Sequence, residues 1–211
     1  AVRSGSPPGS FHEVSAERLG ELDDHGVRLG GGHLMGLGDA FELARVLDLF
    51  AGVGTVGLEC ASRGAKEVVC IERDRDVFRY LEHNIATLKC GDRAIALQAD
   101  ALGPTALARS PKPVDLVFMD PPYALMVDPA TRKLVLAQAA RTRPLFAPKG
   151  FLVLRTPVDL DEEERRIAGF SGPESHQYKD DMFVYLYMPD SARADDGASS
   201  NATSDGESAD A

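Results

Sequence analysis

The chain has 211 residues, is 44% hydrophobic and 7% aromatic without tryptophan, and carries a formal net charge of −10. That length suits one domain with spare sequence at its ends, and the apolar share is enough for a sizeable core. Cys60, Cys70 and Cys90 form no CxxC pair, and the five scattered histidines have no ligand spacing; neither a disulfide framework nor a metal site is expected.

The N-terminal stretch Ala1 to Ser10 is Ser/Gly/Pro-rich without an apolar core, and no run of 18 apolar residues occurs. No signal peptide or membrane span is expected, which points to the cytoplasm. Residues 1–40 are weakly patterned, with Gly30, Gly31, Gly32, Gly36 and Gly38 reading as loop or short hairpin. A single domain is expected over 41–189. Val46 to Phe50 reads as a buried parallel strand, Thr55 to Arg63 as a helix closed by Gly64, and Val68 to Glu72 as a second strand. Asp76 to Leu88 reads as a helix with Val77, Tyr80, Leu81, Ile85 and Leu88 on one face. A third strand, Ala94 to Gln98, ends at Asp100, followed by a short helix over Thr105 to Arg109. Val114 to Met119 is the fourth strand.

Pro129 to Arg141 then reads as a helix, Pro148-Lys149-Gly150 as a turn and Phe151 to Arg155 as the fifth strand. Glu162 to Gly169 suits either a charged helical turn or an edge strand. Met182 to Met188 alternates aromatic and aliphatic residues and reads as a last strand. The tail 190–211 carries six acidic residues and one arginine, about half of the net charge, and its composition predicts disorder. The remaining domain is mildly acidic, against the usual footprint of a phosphate-rich partner; Arg132, Lys133, Arg141, Arg143 and Lys149 are its local basic residues.

Alternating β and α segments imply a doubly wound, mostly parallel sheet, which binds ligands at the carboxyl ends of its strands. Two motifs fall at such ends: Asp48-Leu49-Phe50-Ala51-Gly52-Val53-Gly54 and Asp120-Pro121-Pro122-Tyr123. Gly52, Gly54 and Gly57 also spell a dinucleotide fingerprint, with Glu72 twenty residues after Gly52. A pyrophosphate on the helix N-terminus would be repelled by Asp48. S-adenosylmethionine has no phosphate and presents an ammonium and a sulfonium, which an acidic residue at the mouth of the glycine loop favours. Glu72 could accept both hydroxyls of a ribose. Asp100 could accept from an adenine amino group, with the Ala101 N–H reaching a ring nitrogen. Phe50, Ala51 and Arg73 complete the candidate cofactor set.

Two successive prolines stiffen the turn after the fourth strand. The Asp120 carboxylate and the Pro121 carbonyl could both accept from one NH₂ group and aim its lone pair at the sulfonium methyl. Pro122 holds the turn, and Tyr123 could stack on the base plane, a contact worth roughly 1–3 kcal/mol. Such chemistry rests on positioning and electrostatics rather than on a strong general base.

This pairing resembles the class I S-adenosylmethionine-dependent methyltransferases that modify exocyclic amines. The closer likeness is to the bacterial family that methylates guanine N2 of small-subunit ribosomal RNA. It is carried by Val46 through Gly54, by Gly57-Leu58-Glu59, Ser62-Arg63-Gly64-Ala65 and Val68 to Glu72, by Asn84-Ile85-Ala86-Thr87-Leu88, and by Asp115 through Tyr123. The resemblance implies a Rossmann-like α/β fold: a mostly parallel seven-stranded sheet, helices on both faces, and an antiparallel last strand. It also implies an enzyme, a monomer, that transfers methyl groups to RNA. The basic hairpin and Arg-rich helix usual in that family before the first strand leave only faint traces over residues 11–44. A DNA adenine-N6 methyltransferase uses the same two motifs but usually needs an insertion that flips the base; only five residues separate Tyr123 from Pro129, which favours RNA. A catalytically idle cofactor-binding module is the remaining alternative.

Overall fold

The computed structural model describes residues 43–178 and 182–190; the expectations for residues 1–40 and for the tail beyond Asp190 lie outside them. In chain order the elements are β1 (Arg45–Asp48), α1 (Thr55–Ser62), β2 (Glu67–Glu72), α2 (Arg75–Thr87), β3 (Ala94–Gln98), α3 (Pro104–Ala108), β4 (Val114–Met119), α4 (Tyr123–Val127), α5 (Pro129–Arg141), β5 (Phe146–Thr156), β6 (Phe170–Tyr178) and β7 (Met182–Pro189). They form one seven-stranded sheet in the order β3-β2-β1-β4-β5-β7-β6. Strands β1 to β5 run parallel, and β7 pairs antiparallel with both β5 and β6.

Two-residue alternation sends each central strand's side chains to opposite faces. Leu47, Leu49, Val69, Ile71, Val117 and Met119 pack with Ala106 of α3 and with Val135 and Ala139 of α5. Val46, Val68, Cys70 and Leu116 face Leu58 and Ala61 of α1 and Leu81 and Ile85 of α2. Both faces are thus covered, which is why β1, β2 and β4 read as continuous apolar runs. Local signals set the helix starts. The Asp74 carboxylate accepts from the N–H groups of Asp76 (2.9 Å) and Val77 (3.0 Å) and caps α2. Asp128 accepts from Thr131 N–H at 3.0 Å, with Pro129 in the first turn of α5.

Several expectations need correction. Strand β5 begins at Phe146, and Pro148-Lys149-Gly150 is no turn: it lies inside the strand, where the register with β4 shifts between Val114 and Leu116. A side chain at Gly150 would meet the Asp115 carbonyl oxygen at 2.8 Å. Glu162 to Gly169 is neither helix nor strand but turns that lead into β6, a strand absent from the sequence reading. β6 is an edge strand with Ser171, Gly172, Glu174, Ser175 and Gln177 exposed, so it shows no apolar periodicity. Residues 123–127 form a one-turn helix. On α2, Tyr80 is 49% exposed; Phe78, on the other flank of the apolar stripe, packs against the core instead. Among the described residues no helix is long and apolar enough to cross a membrane.

Candidate functional site

Strand order reverses at β1, since the chain leaves it outward to β2 and β3 and later returns to β4. The crevice expected at such a switch point is present. A cleft of about 570 Å³, counting its open mouth, is lined by Leu49, Phe50, Gly52, Ile71, Glu72, Arg73, Asp100, Ala101, Asp120, Pro122 and Leu125. These residues come from the carboxyl ends of β1, β2, β3 and β4. Eight of the sequence-expected residues therefore meet there: Phe50, Gly52, Glu72, Arg73, Asp100, Ala101, Asp120 and Pro122.

The glycine loop is built by backbone hydrogen bonds. Leu49 N–H donates to the Phe118 carbonyl (3.0 Å), Ala51 N–H to that of Ile71 (2.9 Å) and Gly54 N–H to that of Ala51 (2.8 Å). Gly52 and Gly54 have φ of +57° and +95°, the left-handed region that glycine enters without a Cβ penalty. A Cβ on Gly52 would meet nothing within 4 Å, so the loop faces open space there; one on Gly54 would strike Leu81 Cδ1 at 2.5 Å. Gly54 serves loop packing, and Ala51 is 8% exposed behind the cleft wall.

Asp48 is not at the mouth of the loop. It is 2% exposed beneath it, and Oδ2 accepts from Gly57 N–H at 3.0 Å. Burial pushes its carboxyl up to about 7; the Gly57 bond partly opposes this, while the nearby charges of Asp120 and Glu72 add to it. Glu72 closes the loop: Oε2 accepts from Gly52 N–H at 3.0 Å, and Oε1 from Asp74 N–H at 2.7 Å. A carboxylate has about four acceptor positions, so two remain for a ligand. Asp100 is exposed, and its Oδ1 accepts from Leu102 N–H at 3.0 Å. The turn it caps leaves it on the cleft wall.

Across the cleft, Asp120 Oδ2 accepts from Arg155 Nη1 at 2.7 Å. Pro121 is buried, Pro122 lines the cleft, and Tyr123 is 54% exposed beside it. Helix α4 is held by α5: Thr131 Oγ1 donates to the Leu125 carbonyl at 2.9 Å, and Arg132 Nη1 to that of Met126 at 2.7 Å. Arg132 also pairs with Glu164 at 2.7 Å, and Arg143 donates to the Asp190 carbonyl. Two of the five basic residues singled out in the sequence thus have structural partners.

Residues to which the sequence gave no role in the site include Asn84, whose Nδ2 donates to the Val53 carbonyl at 3.0 Å and ties α2 to the glycine loop. Gln138 Nε2 donates to the Ala101 carbonyl at 2.6 Å and steadies the third wall. Arg155 is the third. Only strand pairing could have revealed it, because no local motif surrounds it. Among the described residues no cluster of three or more potential metal ligands occurs.

Three carboxylates, Glu72, Asp100 and Asp120, face the cleft with Arg73 as the cation of its lining. Such a donor set suits a cationic ligand with hydroxyl and amino groups better than a pyrophosphate. The strand order of this mostly parallel sheet is that of the class I methyltransferases. The chain belongs to the family described as Conserved hypothetical protein 95, whose model matches residues 35–186.

It is 31% identical over 126 residues to the ribosomal RNA small subunit methyltransferase D of Haemophilus influenzae, covering 52% of this chain and 63% of that protein. It is 42% identical over 80 residues to the protein of that name from Escherichia coli, covering 38% of this chain and 39% of the relative. The chain thus spans about three fifths of the first relative and two fifths of the second. A solved conserved hypothetical protein of Streptococcus pyogenes is 30% identical, with a TM-score of 0.59 over 74% of this chain and 92% of that one.

Proposed function

We propose that this protein transfers the methyl group of S-adenosylmethionine to the exocyclic N2 amine of a guanine in RNA, with small-subunit ribosomal RNA or its assembly particle as the substrate. The observation that carries the proposal is one cleft lined by Glu72 and Asp100 from the ends of β2 and β3 and by Asp120 and Pro122 of the Asp120-Pro121-Pro122-Tyr123 turn after β4. The names and family of the relatives support the substrate class. The protein would act as a monomer in the cytoplasm, as one domain over 41–189.

When bound, S-adenosylmethionine supplies an electrophilic methyl group on a sulfonium centre. Glu72 would take the ribose hydroxyls with its two spare acceptor positions, and Asp100 with the Ala101 N–H would take the adenine edge. Phe50 and Arg73 would flank the cofactor. Gly52 and Gly54 hold the loop open above Asp48, with Ala51 buried just before them. Asp48 would contribute negative charge from below rather than direct contact. Asp120 and the Pro121 carbonyl would accept the two amino hydrogens of the target nitrogen and aim its lone pair. Pro122 keeps that turn rigid, and Tyr123 would stack on the base. Asp120 also provides the first acceptor for the proton the nitrogen must lose. The acceleration then comes from orientation and electrostatics.

The test is methyl transfer from labelled S-adenosylmethionine to undermethylated ribosomal particles, total RNA and genomic DNA, read by nucleoside mass spectrometry. N2-methylguanosine in RNA is the expected product. N6-methyladenine in DNA would overturn the substrate while keeping the pocket, and intact cofactor binding without label in any nucleic acid would favour the idle module. Asp120→Ala should lower transfer by orders of magnitude and leave cofactor affinity nearly unchanged.

A further inference from the structure

Met119 of β4 and Leu154 of β5 are register partners in a parallel pair. Asp120 and Arg155 each stand one residue beyond that pair, so side-chain alternation sends both to the same face of the sheet. There Arg155 Nη1 meets Asp120 Oδ2 at 2.7 Å, with the two side chains 43% and 36% exposed. In the order β2-β1-β4-β5, Arg155 approaches Asp120 from the side away from Asp48 and Glu72. The two acidic neighbours and Arg155 therefore flank Asp120 on opposite sides.

An ion pair this exposed contributes little to stability, so its consequence lies in geometry. A free aspartate at a strand end samples several rotamers, and each turns a different edge of the carboxylate toward the cleft. A guanidinium bonded to one oxygen selects one rotamer and leaves the other oxygen for a donor in the cleft. Preorganising an acceptor in this way removes an ordering cost from the reaction. Asp48, when ionised, adds to this, since its charge acts on that of Asp120 from the side opposite β5 and Arg155.

We propose that Arg155 is a positioning residue for the transfer step: it pins Oδ2 of Asp120 so that Oδ1 faces the amine to be methylated. This rests on the reading of the cleft as a methyl-transfer site. Arg155 touches neither cofactor nor substrate amine in this role and acts through Asp120 alone.

The test compares wild type with Arg155→Met, Arg155→Lys, Asp120→Asn and the Arg155→Met/Asp120→Asn double variant in the full chain. Arg155→Met should lower kcat at least tenfold, while KM for RNA and the calorimetric Kd for S-adenosylmethionine stay within about twofold. Arg155→Lys, which keeps the charge but not the planar fork, should recover part of kcat. In the Asp120→Asn background Arg155→Met should cost nothing further, because both changes remove the same oriented acceptor. Independently of RNA, NMR three-bond couplings should report a single Asp120 rotamer in wild type and an average in Arg155→Met.

Unchanged kcat in Arg155→Met, a loss that appears only in KM, full additivity in the double variant, or an Asp120 rotamer indifferent to Arg155 would each overturn the proposal. A wild type that methylates no RNA fails the functional reading instead, and the couplings then decide the role of Arg155 by themselves.

Discussion

Asp48→Asn has a consequence that follows chiefly from burial. Asp48 is 2% exposed, and its carboxyl is raised by burial from 3.8 to about 7. The unfolded chain releases this proton near pH 4, whereas the folded chain keeps it until near pH 7. Stability of the wild type therefore falls as pH rises through that window, and above it the whole cost of the buried charge is in place. Between pH 5 and pH 8 the two states differ in protonation over about two pH units, at roughly 1.4 kcal/mol each, so the wild type loses about 3 kcal/mol.

Asparagine still offers an acceptor to Gly57 N–H and cannot ionise. Any fixed cost of the amide is independent of pH and cancels in the comparison. Urea denaturation at the two pH values should thus show Asp48→Asn gaining about 3 kcal/mol on the wild type from pH 5 to pH 8. Its affinity for S-adenosylmethionine should fall at pH 8, where the lost charge would have attracted a cation. A stability difference that stays constant with pH, or one in which the wild type gains as pH rises, would refute the buried-charge reasoning.

Gly57→Ala would place a Cβ 2.4 Å from the buried Cys70 Sγ; overpacking of this kind should cost about 1–3 kcal/mol in a thermal or urea unfolding curve. Asn84→Ala removes the donor that holds the Val53 carbonyl at 3.0 Å. A stability loss of about 1–3 kcal/mol is expected, together with weaker cofactor binding by calorimetry. Tyr123→Ala, at a side chain 54% exposed, should leave the unfolding midpoint nearly unchanged but raise KM for RNA about tenfold or more, as the loss of a base stack requires.

The central strands were legible because burial on both faces leaves an unbroken apolar signature: Val46 to Phe50, Val68 to Glu72 and Val114 to Met119 each sit within a residue or two of the observed limits. Helix α5 was legible to the residue, since Asp128 and Pro129 mark its start in local chemistry. β6 was not, because an edge strand with one solvated face carries no such signature. The Pro148 to Gly150 segment misled for a related reason. Pro-Lys-Gly has the composition of a turn, and only pairing with β4 keeps it inside a strand as a bulge. On α2, sequence spacing put Tyr80 on the apolar face, whereas Phe78, on the opposite flank of the same stripe, packs against the core; the position of β2 and β3 beneath the helix settles it.

The sequence by itself determined the alternation of strands and helices, the two motifs at strand ends, and the identity of nearly every group on the cleft wall. These properties are local: they depend on residue type, spacing and backbone stereochemistry. Tertiary structure alone decided how those groups face one another. It put Asp48 beneath the glycine loop rather than at its mouth, joined Gly52 to Glu72 across twenty residues, and brought Arg155 to Asp120 across thirty-five. Burial and pairing depend on which strands become neighbours, and the order β2-β1-β4-β5 sets elements from distant parts of the chain side by side.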